Sequence, residues 1–185
     1  ITLGESGVGK TSIINRFIKD MYDENNVSTI GVNFSKKELA INKDEKIILK
    51  LIDTCGQEKY KSLTKSYFKN TDVVLFVFSM DDKDSFELIT EWIELFTENK
   101  FKEEDIPKYL VGNNNDLEYR VNLNEIDEFA KKNNMPFFSV SAKENKNIDY
   151  NDKAFEGVVI DDLNGKFFKN KRSYKKTIED VLKNP

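Results

Sequence analysis

Apolar residues recur in two patterns along the chain, and these patterns alternate. The runs at 73–78 and 109–111 are continuously apolar, which is typical of strands that a sheet buries on both faces. Between them, Phe86, Ile89 and Phe96 recur at helical spacing, which predicts an amphipathic helix with one buried face. Strands that alternate with helices favour a mostly parallel sheet with helices on both faces, so the predicted fold class is α/β.

The remaining segments extend this pattern in both directions. A short apolar start precedes a helical segment at 12–18, and the polar stretch at 20–30 has no period, which predicts a loop. Two apolar-rich segments that flank a turn at 42–45 predict a pair of strands. Further predictions are a strand at 137–140, a helix with Leu123, Ile126, Phe129 and Ala130 on one face, and a last helix over 148–163.

The sequence GESGVGKT at 4–11 matches the pattern G-x-x-x-x-G-K-[ST] of a phosphate-binding loop. It lies between a predicted strand and a predicted helix, which is the context that this loop requires. Its glycines let backbone N–H groups turn towards phosphate oxygens, and the helix directs the positive end of its dipole at them. We expect Lys10 to contact the β- and γ-phosphates and the Thr11 hydroxyl to bind Mg²⁺.

Phosphate loops occur in ATPases, kinases and GTPases, so residues further along must decide between them. Asp53 ends an apolar strand, where it can hold Mg²⁺ through a water, and Gly56 can bring a backbone N–H to the γ-phosphate. The Gln57 amide can orient an attacking water, because it donates and accepts hydrogen bonds at once. Thr29, at the end of the predicted loop, is a further candidate ligand of Mg²⁺. In this order, these residues indicate hydrolysis of a nucleoside triphosphate.

Asp116 closes the segment 113–116, which follows the strand at 109–111, and it is the candidate residue for reading the base. Its carboxylate can accept two hydrogen bonds from the N1–H and N2–H₂ groups of guanine. Adenine presents an acceptor at that edge, and sites built in this way discriminate by roughly 10⁴-fold or more. The segment Ser141-Ala142-Lys143 can supply a backbone N–H to the guanine O6. These residues favour guanine as the base.

Composition narrows the function classes. The 185 residues are 38% hydrophobic and 34% charged, which suits one domain with a sizeable core. The net charge of −4 argues against general binding of nucleic acid. The lack of His excludes His-based triads and His metal sites, and the single cysteine, Cys55, excludes an internal disulfide and fits a reducing cytosol. We expect no signal peptide and no transmembrane segment, and Ile1 is expected to belong to a truncated first strand.

The sequence resembles the small GTPases of the Ras superfamily, and within them the Rab branch. The resemblance covers residues 1 to about 163. The segments that carry it are GESGVGKT at 4–11, STIGVNF at 28–34, KLIDTCGQE at 50–58, YKSLTKSYF at 60–68, Trp92 and SAK at 141–143.

The resemblance implies a six-stranded sheet with one antiparallel edge pair, with Mg²⁺ as cofactor, GTP as substrate and GDP as product. It also implies that Tyr22 stacks on the guanine, that Thr29 is the switch I threonine, and that 55–69 form switch II. The expected metal ligands are Thr11, Thr29 and Asp53, the last through a water, and the expected catalytic residues are Gln57, Lys10 and Gly56. The expected GTP-binding residues are Ser6, Gly7, Val8, Gly9, Lys10, Thr11, Ser12, Tyr22, Thr29, Gly56, Asn113, Asp116, Ser141, Ala142 and Lys143.

Three positions depart from the family pattern. Asn114 stands where the family usually has Lys, whose alkyl stem covers one face of the base. Losing that cover is expected to cost about 1–3 kcal/mol and to weaken nucleotide retention ~10- to 100-fold. Cys55 replaces the usual Ala, and we interpret it as a small apolar substitute. Ile52 replaces a Trp that in Rab proteins joins Phe34 and an aromatic residue near 67–68 on the effector-facing surface.

The resemblance implies a switch that acts in vesicle traffic through an exchange factor, a GTPase-activating protein and effectors that bind switches I and II. Switch I contains no arginine, so we expect slow hydrolysis that a partner accelerates by ~10³–10⁵-fold. The expected location is the cytoplasm, with peripheral association with endomembranes. Two alternatives stay open: a degenerate nucleotide-binding adaptor, which Asn114 and Cys55 motivate, and a GTPase that signals outside membrane traffic. The expected domains are a GTPase domain at 1–163 and a basic tail at 164–185, which is either solvated or attracted to an anionic membrane.

Overall fold

The apolar runs of the sequence form the centre of a six-stranded sheet. The structure is a computed structural model, and it describes residues 1–25, 27–40, 46–57, 60–100 and 106–148. The strands are β1 (Thr2–Leu3), β2 (Val32–Ala40), β3 (Lys46–Thr54), β4 (Val74–Ser79), β5 (Lys108–Asn113) and β6 (Phe137–Ser139). Their order in the sheet is β2-β3-β1-β4-β5-β6. All neighbouring pairs are parallel except the edge pair of β2 and β3, which confirms the predicted fold class.

The helices lie on the two faces of this sheet and cover β4, which is buried at every position. Its side chains alternate between the faces, so that Val77 belongs to one core and Phe76 to the other. The helices are α1 (Lys10–Lys19), α2 (Lys61–Lys65), α3 (Lys83–Glu87), α4 (Ile89–Asn99) and α5 (Leu123–Lys132). Ile13 and Phe17 of α1 pack with Val77, whereas Trp92 of α4 packs with Phe76.

Two helices differ from the sequence prediction. The helix predicted through Phe86 and Phe96 is in fact two helices, α3 and α4, which meet at Leu88. On α5, Leu123 is 50% exposed, although it was predicted to share a face with the buried Ile126. Leu123 is the first residue of α5, and side chains lean towards the helix N-terminus, so it extends beyond the start of the helix.

Parallel strands bring their carboxyl ends to one edge of the sheet, where ligands of α/β proteins bind. Four connecting segments therefore meet at this edge: the phosphate loop after β1, 55–57 after β3, 113–116 after β5 and 140–143 after β6. The turn predicted at 42–45, the basic tail and the helix predicted over 148–163, apart from the buried Ile148, lie outside the described residues.

Candidate nucleotide site

The phosphate loop lies between β1 and α1, as predicted. Gly9 is the N-cap of α1 with a φ of 89°, and no side chain caps the first N–H groups of the helix. A Cβ at Gly9 would lie 2.1 Å from the Asn113 side-chain nitrogen, so the close approach of Asn113 requires glycine here. The first N–H groups of α1 thus remain available to an anion, and the helix dipole favours negative charge there.

Lys10 is buried and folds back over the loop. Its Nζ donates to the carbonyl oxygen of Gly4 at 2.8 Å and to that of Glu5 at 2.6 Å. Burial lowers the pKa of Lys10 to about 8, and the charges of Asp53 and Glu5 offset part of that effect. A single ammonium group is therefore held at the centre of the phosphate loop.

Thr11, Thr29 and Asp53 come together although they are far apart in the sequence. The Thr11 hydroxyl donates to Asp53 Oδ2 at 2.7 Å, and its oxygen lies 2.7 Å from the hydroxyl oxygen of Thr29. Burial raises the pKa of Asp53, while hydrogen bonds from Thr11 and Thr29 and the charge of Lys10 lower it in part. The three predicted metal ligands therefore form one cluster.

This cluster suits Mg²⁺. Mg²⁺ holds oxygen ligands at 2.0–2.1 Å in octahedral geometry, so adjacent ligand oxygens lie about 2.9 Å apart, close to the spacing of the two hydroxyls. Asp53 Oδ1 is buried and has no hydrogen-bond partner among the described residues. No group of three or more Asp, Glu, Cys or His side chains that could hold a metal ion occurs in the described part of the chain. Mg²⁺ in phosphate-binding sites commonly takes its remaining ligands from substrate phosphates and water.

Gly56 holds the start of the predicted switch II against the phosphate loop. A Cβ at Gly56 would lie 2.2 Å from the Glu5 carbonyl carbon and 2.3 Å from the Ser6 nitrogen, so only glycine fits. A cavity of about 110 Å³ opens beside this contact, lined by the phosphate loop, the start of α1 including Ser12, residues 27–29, Thr54 and Gly56. Gln57, which is half-buried, follows directly. Most residues predicted to bind phosphate and metal therefore line one cavity, whereas Gln57 lies next to Gly56 without lining it.

The base-reading residues form a second cluster. Asn113 is buried, and its side-chain nitrogen donates to the Val8 carbonyl at 3.0 Å while its Oδ1 accepts the Ala142 N–H at 3.2 Å. The Ser141 hydroxyl donates to Asp116 Oδ1 at 2.5 Å. Asn113 therefore ties the phosphate loop to the loop after β6, and Ser141 ties that loop to Asp116.

Tyr22 follows α1 in the chain and is 36% exposed. Two residues later, Glu24 bonds the ammonium of Lys143 at 3.1 Å. This ion pair brings the segment that contains Tyr22 beside the segment 141–143.

Comparisons with known proteins decide the family. Residues 1–161 match the model of the Ras family. The chain belongs to the Ras family.

The proteins similar to this Ras-family chain include Rab proteins. It is 42% identical to the Ras-related protein Rab-11B of Dictyostelium discoideum over 152 residues, which is 80% of this chain and 67% of the relative. It is 38% identical to Rab-2B of the same organism over 158 residues, 84% of this chain and 75% of the relative. It is 32% identical to the GTP-binding protein ypt1 of Schizosaccharomyces pombe over 151 residues, 80% and 73% of the two chains. The protein is thus a Rab-like GTPase, which confirms the predicted family and disfavours the adaptor alternative.

In this Rab-like GTPase, an aromatic pair joins β2 to the predicted switch II. Phe34 is 47% exposed and contacts Tyr67 edge to face, with ring centroids 5.3 Å apart. The Lys50 ammonium lies 4.7 Å from the centre of the Phe34 ring. Ile52 pairs with Phe34 across β2 and β3 and is itself buried. Within the described residues of this GTPase, none of the helices has the length and apolar character that crossing a bilayer requires.

Sequence reasoning missed three contacts of this GTPase. Arg16 bonds the carbonyls of the 142–143 segment, Trp92 bonds Glu5 of the phosphate loop, and Asn114 donates to the Ser79 hydroxyl at 2.6 Å. Each contact joins segments that are distant in the chain, so no local sequence pattern predicts it.

Proposed function

We propose that this Rab-like GTPase binds GTP with Mg²⁺ through the two clusters described above. The observation that carries the proposal is the double contact of the Thr11 hydroxyl with Thr29 and Asp53. Thr11 and Thr29 would bind the metal directly and Asp53 through a water. Lys10 and the N–H groups of 6–12 would hold the phosphates.

The second cluster would read the base. Asp116, oriented by the Ser141 hydroxyl, accepts hydrogen bonds from N1–H and N2–H₂ of guanine, which adenine lacks. A backbone N–H of the 141–143 segment donates to O6. Tyr22 covers one face of the base, and Asn113 fixes the distance between the base and the phosphates.

Hydrolysis would proceed by attack of water on the γ-phosphate. Gln57 orients that water, and the Gly56 N–H and Lys10 stabilise the charge that develops on the phosphate oxygens. When bound, Mg²⁺ supplies further positive charge at the β- and γ-phosphates. The chain contains three arginines, Arg16, Arg120 and Arg172, none of them in switch I. Hydrolysis is therefore expected to be slow until a partner supplies the missing charge.

The reaction would switch the protein between a GTP-bound and a GDP-bound conformation. With GTP bound, Thr29 and Gly56 both contact the γ-phosphate and hold the two switch segments, and hydrolysis releases them. The Rab relatives support a role in vesicle-mediated transport, with an exchange factor, an activating protein and effectors that bind the switches. The proposed location is the cytoplasm, with peripheral association with endomembranes.

A single-turnover assay tests the assigned roles. The full chain is loaded with GTP, Mg²⁺ is added, and phosphate release is measured beside a sample that contains a chelator. We expect slow release that requires Mg²⁺. Thr11→Ser keeps the hydroxyl and should keep the Mg²⁺ dependence, whereas Thr11→Ala should need roughly ten-fold more Mg²⁺. Equal Mg²⁺ requirements in both variants, or ATP binding as tight as that of GTP, would refute the assignment.

A further inference from the structure

Arg16 lies on α1 and makes four hydrogen bonds with its guanidinium group. Its Nε donates to the carbonyl oxygen of Ala142 at 2.9 Å, and its Nη2 to that of Lys143 at 3.2 Å. Its Nη1 donates to the backbone carbonyl of Asp20 at 2.9 Å and to the Asp20 carboxylate at 3.0 Å. The Arg16 side chain is only 14% exposed, whereas its partner Asp20 is 76% exposed. The bond to the Ala142 carbonyl is therefore partly buried, and the other three bonds lie at the surface.

The Asp20 carboxylate also contacts Asn145, which follows Ala142 and Lys143 in the loop after β6. Its Oδ1 also accepts the side-chain N–H of Asn145 at 3.0 Å. The C-terminal end of α1 is therefore bonded to the base loop, defined as residues 141–145, through both Arg16 and Asp20. Since α1 begins at the phosphate loop, these bonds set the position of the base loop relative to the phosphate loop.

Inside the base loop, most N–H groups are already used. Among the described residues, the Ser141 N–H donates to the Lys146 carbonyl, the Ala142 N–H to the Asn113 side chain, and the Glu144 N–H to the Ser141 hydroxyl. Two backbone N–H groups of the base loop, those of Lys143 and Asn145, are not used by these bonds. Of the two, Lys143 belongs to the segment 141–143 that is predicted to donate to the guanine O6, so its N–H is the candidate donor to the base.

Arg16 influences the orientation of the Lys143 N–H through its bond to the Ala142 carbonyl. The Ala142 carbonyl and the Lys143 N–H belong to one peptide group, which is planar and trans, so the two bonds point in opposite directions. By holding the carbonyl on the side of α1, Arg16 turns the Lys143 N–H to the opposite side.

We propose that Arg16 is a positioning residue for guanine recognition: it orients the Lys143 N–H so that this group donates to O6 of the base. The inference rests on the proposed guanine site and adds a specificity determinant that does not touch the nucleotide. Asp116 reads the N1 and N2 positions of guanine, and Arg16, acting through Lys143, sets the selectivity at position 6.

The test compares nucleotides that differ at one atom position. Calorimetry in the presence of Mg²⁺ measures the Kd of the full chain for GDP, for 6-thio-GDP, in which a weaker sulfur acceptor replaces O6, and for IDP, which lacks only the 2-amino group. The variants are Arg16→Ala, Arg16→Lys and Lys19→Ala, the last removing an exposed cation from the same helix as a matched control. Thermal unfolding of each variant reports whether it is folded.

The expected result is a change in selectivity. Arg16→Ala should reduce the preference for GDP over 6-thio-GDP by roughly 3- to 10-fold, the effect of one hydrogen bond, and leave the preference for GDP over IDP unchanged. Arg16→Lys retains one ammonium that can reach one carbonyl, so its preference should lie between those of the unchanged chain and Arg16→Ala. Lys19→Ala should match the unchanged chain.

Other results would overturn the inference. If Arg16→Ala and Arg16→Lys weaken all three nucleotides by the same factor, Arg16 serves stability alone. Unaltered affinities in both variants would also refute it, while the proposed function would stand. If the unchanged chain does not bind GDP, the proposed function fails and the inference fails with it.

Discussion

The indole N–H of Trp92 donates to the Glu5 carboxylate at 2.9 Å, so helix α4 is bonded directly to the phosphate loop. Trp92 is fully buried, and the backbone carbonyl of the same Glu5 accepts a hydrogen bond from Lys10. The ammonium of Lys61 lies 5.1 Å from the centre of the indole ring and bonds Glu91 at 3.2 Å. The indole therefore contacts both the phosphate loop and the predicted switch II.

Replacing Trp92 by Phe should destabilise the protein through this bond. The variant keeps an aromatic ring but leaves the Glu5 carboxylate without its donor, and we expect a loss of about 1–3 kcal/mol in the free energy of unfolding. Urea denaturation measures this loss. Glu5→Gln keeps an oxygen acceptor and should lose less than Glu5→Ala. A double-mutant cycle of Trp92→Phe with Glu5→Ala that shows no coupling energy would contradict the contact.

Replacing Gly56 by Ala should disturb the phosphate loop. The added Cβ would lie 2.2 Å from the Glu5 carbonyl carbon, so switch II or the loop must move, and GTP binding should weaken together with stability. Gly7→Ala is the comparison, because a Cβ there meets no atom within 4 Å and adds only the strain of a φ of 85°, about 1–2 kcal/mol. Calorimetric titration with GTP and thermal unfolding measure both effects. The prediction is wrong if Gly56→Ala is the milder of the two.

Replacing Asn114 by Lys should slow nucleotide release at a cost in stability. Asn114 has a φ of 62°, which Asn tolerates better than Lys, and its side chain bonds the Ser79 hydroxyl. Loss of that bond and the backbone strain should lower the free energy of unfolding by about 1–2 kcal/mol. The longer alkyl stem should cover the base and slow GDP release by ~10- to 100-fold. Release of a fluorescent GDP analogue tests this, and an unchanged or faster rate would reject it.

Replacing Gln57 by Leu should prolong the GTP-bound state. Leu cannot orient water, so single-turnover hydrolysis should slow by roughly 10²-fold, the scale of a misplaced reactant. The Kd for GTP should stay within a few-fold, because Gln57 belongs to neither the base cluster nor the metal cluster. Hydrolysis at the original rate would show that another group positions the water.

The positions of strands and helices could be predicted from the sequence wherever the spacing of apolar residues alone determines them. The run 73–78 overlaps β4, Val74–Ser79, because every residue of that strand is buried whichever face it points to. The helix at 83–99 was harder, since its break at Leu88 interrupts a continuous apolar spacing. The fully buried Trp92 illustrates the limit for the site: its match to the family was visible, but its bond to Glu5 depends on how α4 packs.

The sequence alone predicted the chemistry proposed for this protein, because a phosphate loop, a candidate Mg²⁺ ligand set and a candidate guanine-reading carboxylate are each recognised by residue type and local spacing. Only the tertiary structure decided how these parts are held. Arg16 and the 142–143 segment are separated by more than 120 positions, and their contact exists because α1 and β6 are packed into one fold. Hydrogen bonds between distant segments depend on the relative placement of whole elements, and burial of the apolar faces sets that placement.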